Sequence, residues 1–209
     1  MMKIFENIDK TLLIKLMVLH TVVIALSNFL VNYKFNIFGS PVAWSTLTYP
    51  FIFISTDLTV RLIGKDMGRN VVGVSFIPGI LASAAVILAS GAPDSVAWRI
   101  AAASGTSYLI TTLLDVYAFQ YLREKVKAWW VAPLVSGNLT MALSTYIFFA
   151  LAFIGSANAF MAENWFIVAT NGVIGKLLFG SALIVPVYGI VLNWILGKQK
   201  QDEPAESQQ

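Results

Sequence analysis

Residues 71–90 read VVGVSFIPGILASAAVILAS, twenty positions without a single Asp, Glu, Lys or Arg. A helix needs about 20 apolar residues to cross the hydrocarbon core of a bilayer, so this stretch reads as a membrane span. Working outward, comparable apolar stretches occupy 11–31, 42–63, 99–121, 129–154 and 166–196. Short segments with turn chemistry separate them: Phe38-Gly39-Ser40-Pro41, Gly64-Lys65-Asp66, Gly91-Ala92-Pro93-Asp94 and Gly155-Ser156-Ala157-Asn158. The expected fold class is all-α, a polytopic membrane protein with six transmembrane helices. Residues 1–196 form one transmembrane domain on this reading, and 197–209 a polar, disordered cytoplasmic tail. The first span is too long for a signal-peptide core and no small-residue cleavage site follows it.

Composition supports the same reading. Of 209 residues, 57% are hydrophobic and 12% charged, with a mean hydropathy of +0.74. Soluble domains carry about twice that charged share. A disordered chain, a nucleic-acid-binding tail protein and an ordinary globular enzyme are thereby excluded. Six crossings consume about 120 residues, which leaves no room for a soluble domain. The chain has no cysteine and one histidine, His20. Disulfides, a thiolate nucleophile and a Cys or multi-His metal site are ruled out, and no metal or cofactor is expected.

Lys and Arg placement gives an orientation. Lys3, Lys10, Lys15, Arg61, Lys65, Arg69, Arg123, Lys125, Lys127, Lys198 and Lys200 fall on one side of the expected map, and only Lys34 and Arg99 on the other. The positive-inside rule then places both termini in the cytoplasm, which requires an even number of spans. Trp44, Trp98, Trp129, Trp130, Trp165 and Trp194 lie at span ends, as an interfacial aromatic belt would. Span six is long and interrupted by Gly172, Gly175, Gly180, Pro186 and Gly189. It is expected to be tilted, kinked at Pro186 or broken near the midplane.

Ionisable groups inside a span are costly and mark function by default. Four qualify: His20, Asp57, Asp115 and Lys176. Asp57 shares a helix face with Phe53 and Arg61, which reads either as an ion pair or as a carboxylate turned into a polar cavity. Ser104, Tyr108, Thr111 and Asp115 form one polar stripe on span four. Asp57 and Asp115 each sit about fifteen residues into spans that run the same way, so a rise of about 1.5 Å per residue puts them at similar depth. Lys176 lies between Gly172 and Gly180, as a counter-ion to an aspartate or a ligand contact. His20 reads as a packing residue before a proton relay, and Asn28 as a ligand contact or a helix cap. No local catalytic motif is present, so the chain is not expected to be an enzyme.

The run Trp44 to Arg61, WSTLTYPFIFISTDLTVR, resembles the signature of the queuosine-precursor transporter family. The likeness continues in order through Ser27-Asn28-Phe29-Leu30-Val31, Arg99-Ile100-Ala101, Leu114-Asp115-Val116, Trp129-Trp130-Val131-Ala132-Pro133, Ala159-Phe160-Met161-Ala162-Glu163 and Pro186-Val187-Tyr188-Gly189. The resemblance implies a six-span carrier of the bacterial inner membrane. It would import 7-cyano-7-deazaguanine or 7-aminomethyl-7-deazaguanine for tRNA queuosine synthesis. Its implied partners are that small molecule and the lipid bilayer, with no nucleic acid, and homo-oligomerisation is left open. A guanine-like base offers adjacent N–H donors and a flat face. Asp57 or Asp115 would accept the donors, Phe51, Phe53 or Tyr108 would stack, and Arg99 would receive the carbonyl edge. Asn28 and Lys176 complete the candidate binding set. Two other readings compete: a substrate-binding membrane subunit of a vitamin-type importer, and an intramembrane enzyme acting on lipid.

Overall fold

Helix follows helix wherever the sequence is apolar and free of turn residues. The computed structural model describes residues 10–30, 33–37, 40–48 and 50–202. Among them run α1 (Lys10–Leu30), β1 (Lys34–Ile37), β2 (Ser40–Ala43), α2 (Ser45–Thr48), α3 (Pro50–Ile63), α4 (Lys65–Ala89), α5 (Asp94–Lys125), α6 (Val131–Phe153) and α7 (Ala159–Asp202). Helices α4, α5, α6 and α7 pack in chain order, and α1 packs against α4. Short α3 touches α4, α5, α6 and α7, which puts it inside the bundle.

Three helices are long and apolar enough to cross a membrane by length and composition: Lys65–Ala89, Val131–Phe153 and Ala159–Trp194. Helix α1 holds a shorter apolar stretch, Leu13–Ser27. Helix α5 is long but less apolar because its polar stripe is turned inward. Ser107, Tyr108, Thr111, Thr112 and Asp115 are all buried.

The 42–63 stretch is not one helix, contrary to the sequence expectation. Its first part is the second strand of an antiparallel hairpin, with Lys34 opposite Ala43 and Ile37 opposite Ser40. One helical turn, α2, follows before Pro50 opens α3. Proline lacks an N–H and restricts the residue before it, so it starts helices and does not continue them. The 14 residues of α3 reach only about 21 Å at the helical rise. Span six departs from expectation in the opposite sense. Its glycines and Pro186 do not break α7, which runs unbroken over 44 residues. It ends at Asp202, inside the expected tail, while residues 203–209 lie outside the described part.

The surface is apolar and the interior partly polar. Ile14, Val18, Val22 and Leu26 line the outer face of α1, and Phe166, Ile167, Ile174, Leu178 and Ile190 that of α7. His20, Asp57, Thr111, Thr112, Asp115, Ser136, Thr140 and Ser144 are buried. An exposed apolar surface of this extent marks a lipid-facing protein. Close approach at the centre depends on Gly68 of α4, where an added Cβ would lie 2.7 Å from Val60 Cγ2 of α3.

Candidate functional site

The centre of the bundle holds two carboxyl groups side by side. Asp57 comes from α3 and Asp115 from α5, with 1% and 0% of their surface exposed. Each lies within interaction range of the other. Both oxygens of Asp57 and Oδ2 of Asp115 have no hydrogen-bond partner. Asp57 and Asp115, expected at similar depth from helical rise, come together in the structure.

Helix α6 supplies the other wall. Thr140 Oγ1 lies 3.2 Å from Asp115 Oδ1. The same hydroxyl is 2.7 Å from the Ser136 carbonyl and 3.4 Å from that of Gly137. Ser136 also lies against Asp115, while its hydroxyl donates to the Ala132 carbonyl at 2.9 Å. Serine and threonine inside helices bond back to carbonyls in this way. The result is a wall of hydroxyls beside Asp115, with Thr140 donating to its Oδ1.

Phe53 and Arg61 lie one turn to either side of Asp57 on α3. Phe53 is 1% exposed and puts a flat ring on the Asp57 face. Arg61 does not pair with Asp57. Its Nη1 donates to the Tyr188 hydroxyl at 3.4 Å, and its guanidinium carbon sits 5.9 Å from the centroid of that ring. Trp129 stacks on Tyr188, and Arg123 donates to the Val60 carbonyl at 3.4 Å. Arg61, Arg123, Trp129 and Tyr188 thus form a layer between the carboxyl pair and the basic end of the bundle.

The remaining candidates are dispersed. Lys176 on α7 donates to Thr145 Oγ1 on α6 at 3.1 Å and not to either aspartate. Tyr108 is buried two turns from Asp115, with its hydroxyl 3.1 Å from His20 Nδ1. It lines a cavity with Ile24, Phe76, Ser83 and Ser104 that holds about one water-sized sphere. Phe51 is 38% exposed and lies on the far side of α3 from the buried pair. Arg99 reaches across to the end of α6, donating to the carbonyls of Leu151 (3.3 Å), Gly155 (3.2 Å) and Ile154. Its guanidinium caps a helix and does not face the carboxyl pair. The side chain of Asn28 lies outside the described residues.

A family model described as "Putative vitamin uptake transporter" matches residues 43–191. A Haemophilus influenzae protein named "Probable queuosine precursor transporter" is 38% identical over 202 residues, covering 86% of each chain. The Escherichia coli K12 "Queuosine precursor transporter" is 35% identical over 191 residues, covering 85% of each. The chain belongs to the queuosine-precursor transporter family. No solved structure matches it. The family match runs from the end of β2 into α7 and includes Asp57, Asp115, Thr140, Lys176 and Tyr188. It leaves α1, with His20, outside.

Sequence reading overlooked what α6 contributes to this candidate site. Ser136, Thr140 and Ser144 recur every four residues, all buried. That is the same signal that singled out the polar stripe on α5. Tyr188 carried no comparable signal, because a lone tyrosine in a span end reads as an interfacial anchor.

Proposed function

We propose that this chain imports 7-deazaguanine precursors of queuosine across the bacterial inner membrane, with 7-cyano-7-deazaguanine as the first substrate to test. The observation that carries the reading is Asp57, whose two buried oxygens lack donors while Phe53 lies one turn away. A buried acceptor without a donor is costly. A guanine-like edge offers two adjacent N–H groups to one carboxylate, and its ring offers a face to Phe53. Asp115 forms the neighbouring wall. Phe51 and Arg99 are dropped from the ligand contacts on this reading, and Tyr108 and Lys176 act at a distance from the base.

The same reading carries six crossings with both termini cytoplasmic. The apolar outer faces of α1 and α7, and the gathering of Arg and Lys at one end, support it. Short α3 is completed by α2, which packs against α1, α3 and α7, and irregular backbone is tolerated at membrane depth where protein buries it. The test is uptake of 7-cyano-7-deazaguanine by cells unable to make it, scored by queuosine in tRNA. Expression of this chain should restore the modification, and unmodified tRNA despite folded protein in the membrane would refute the reading.

A further inference from the structure

Asp57 has a natural partner that it does not use. Arg61 is the one basic residue of α3 and follows Asp57 by four positions. Side chains at that spacing are neighbours on a helix surface, and an acid placed N-terminal to its cation is the favoured order. A salt bridge within α3 is therefore the simple expectation. Among the described residues the one ion pair is Arg69 with Asp66, at 3.3 Å. Both oxygens of buried Asp57 are left without a hydrogen-bond partner.

Tyr188 of α7 is what draws Arg61 away. Arg61 Nη1 donates to the Tyr188 hydroxyl at 3.4 Å, and the guanidinium carbon lies 5.9 Å from the ring centroid. The hold thus combines a hydrogen bond with a cation–π contact. Each side chain fixes the other, but the tyrosine has further support. Its ring is fully buried, stacked on Trp129 and packed at 6.4 Å against Phe119. Arg61 lacks such packing, and its long side chain turns about its own bonds. If the contact fails, Arg61 is the partner that moves, and Asp57 lies within its reach one turn back.

We propose that Tyr188 is a positioning residue, which holds Arg61 off Asp57 and so keeps that carboxyl open to a ligand. Arg61 and the N–H edge of the ligand are competitors for the same two oxygens. A guanidinium fork fits a carboxylate in a bidentate way, as the edge of a guanine-like base does. The ligand half of this rests on the function proposed above. The hold on Arg61 does not.

Binding of 7-cyano-7-deazaguanine to the purified full-length protein, per folded molecule, tests the ligand half. Tyr188→Phe keeps the ring and its aromatic packing but removes the hydroxyl that Arg61 bonds. It should weaken binding by about tenfold, the scale of one hydrogen bond to a charged group. In an Arg61→Gln background the competitor is gone, and the same substitution should change affinity by less than about twofold. An equal fall in both backgrounds is what a purely structural Tyr188 would give, and overturns the inference. So does unchanged binding in Tyr188→Phe. If Tyr188→Phe fails to insert, Arg61→Lys replaces it, since a point charge loses the fork but still competes for Asp57. It should bind more weakly than Arg61→Gln, and equal affinities overturn the inference. Unfolding midpoints without ligand test the hold alone. Asp57→Asn and Arg61→Gln should become non-additive in the Tyr188→Phe protein and stay additive in the wild type. Additivity in both overturns the hold. Non-additivity in Tyr188→Phe alone, with no ligand bound by any variant or the wild type, supports the hold and refutes the proposed function.

Discussion

Trp129 lies nearly parallel to Tyr188, with 8° between the ring planes and 6.3 Å between their centroids. The stack closes the basic end of the bundle below the carboxyl pair, and Arg61 holds the Tyr188 ring in place. Its fit depends on Gly189, where an added Cβ would stand 2.8 Å from Trp129 Cη2.

Gly189→Ala should therefore push the indole off Tyr188 and cost about 1–3 kcal/mol, the usual range for overpacking. Trp129→Phe shortens the ring and should recover part of that loss in the double variant. Unfolding midpoints of the two single variants and the double in detergent check the coupling. Strictly additive losses would place the clash elsewhere.

Asp57→Asn keeps size and one acceptor oxygen but removes the charge. A hydrogen bond to a charged group contributes about 1.5–3 kcal/mol, so ligand binding should weaken by about tenfold or more. Uptake normalised to folded protein in the membrane is the measurement. Asp115→Asn alters the wall beside Asp57 and should lower normalised uptake as well. Wild-type normalised uptake in both variants would overturn the site assignment.

Topology has its own test. A reporter active only in the cytoplasm should work when fused after Gln209 or inserted near Lys127, and fail when inserted at Gly91. The opposite pattern would reverse the orientation that Lys and Arg placement gives.

The level of the two aspartates was legible because helical rise is fixed per residue, so position along a span converts directly to depth. Their meeting was legible in part because charged groups turn away from lipid. Partner choice was not. Arg61 lies one turn from Asp57 in sequence yet bonds Tyr188, 127 residues away, since long side chains reach across helices regardless of sequence spacing. Lys176 shows the same limit, finding Thr145 and not an aspartate. The hairpin before α3 was hidden for a different reason: Val42, Trp44, Leu47 and the run from Pro50 read as one apolar stretch, and Pro50 alone signalled the break.

Arg99 offers the sharpest separation of a structural role from a binding role. Its guanidinium donates to three carbonyls at the C-terminal end of α6, which otherwise lack intrahelical donors. A cation is also favourable there because the helix dipole ends negative. Arg99→Lys keeps the charge but offers a point donor in place of a planar fork, so it should recover only part of the cap. Arg99→Ala should lower stability by about 1–2 kcal/mol, the range for a lost cap or charged hydrogen bond at a partly exposed site. Thermal unfolding should rank wild type above Arg99→Lys above Arg99→Ala. Ligand affinity of the folded fraction should stay within a factor of about two across all three, because the side chain faces away from the carboxyl pair. A large affinity loss in Arg99→Lys at unchanged stability would return Arg99 to the binding site, where it would meet the carbonyl edge of the base.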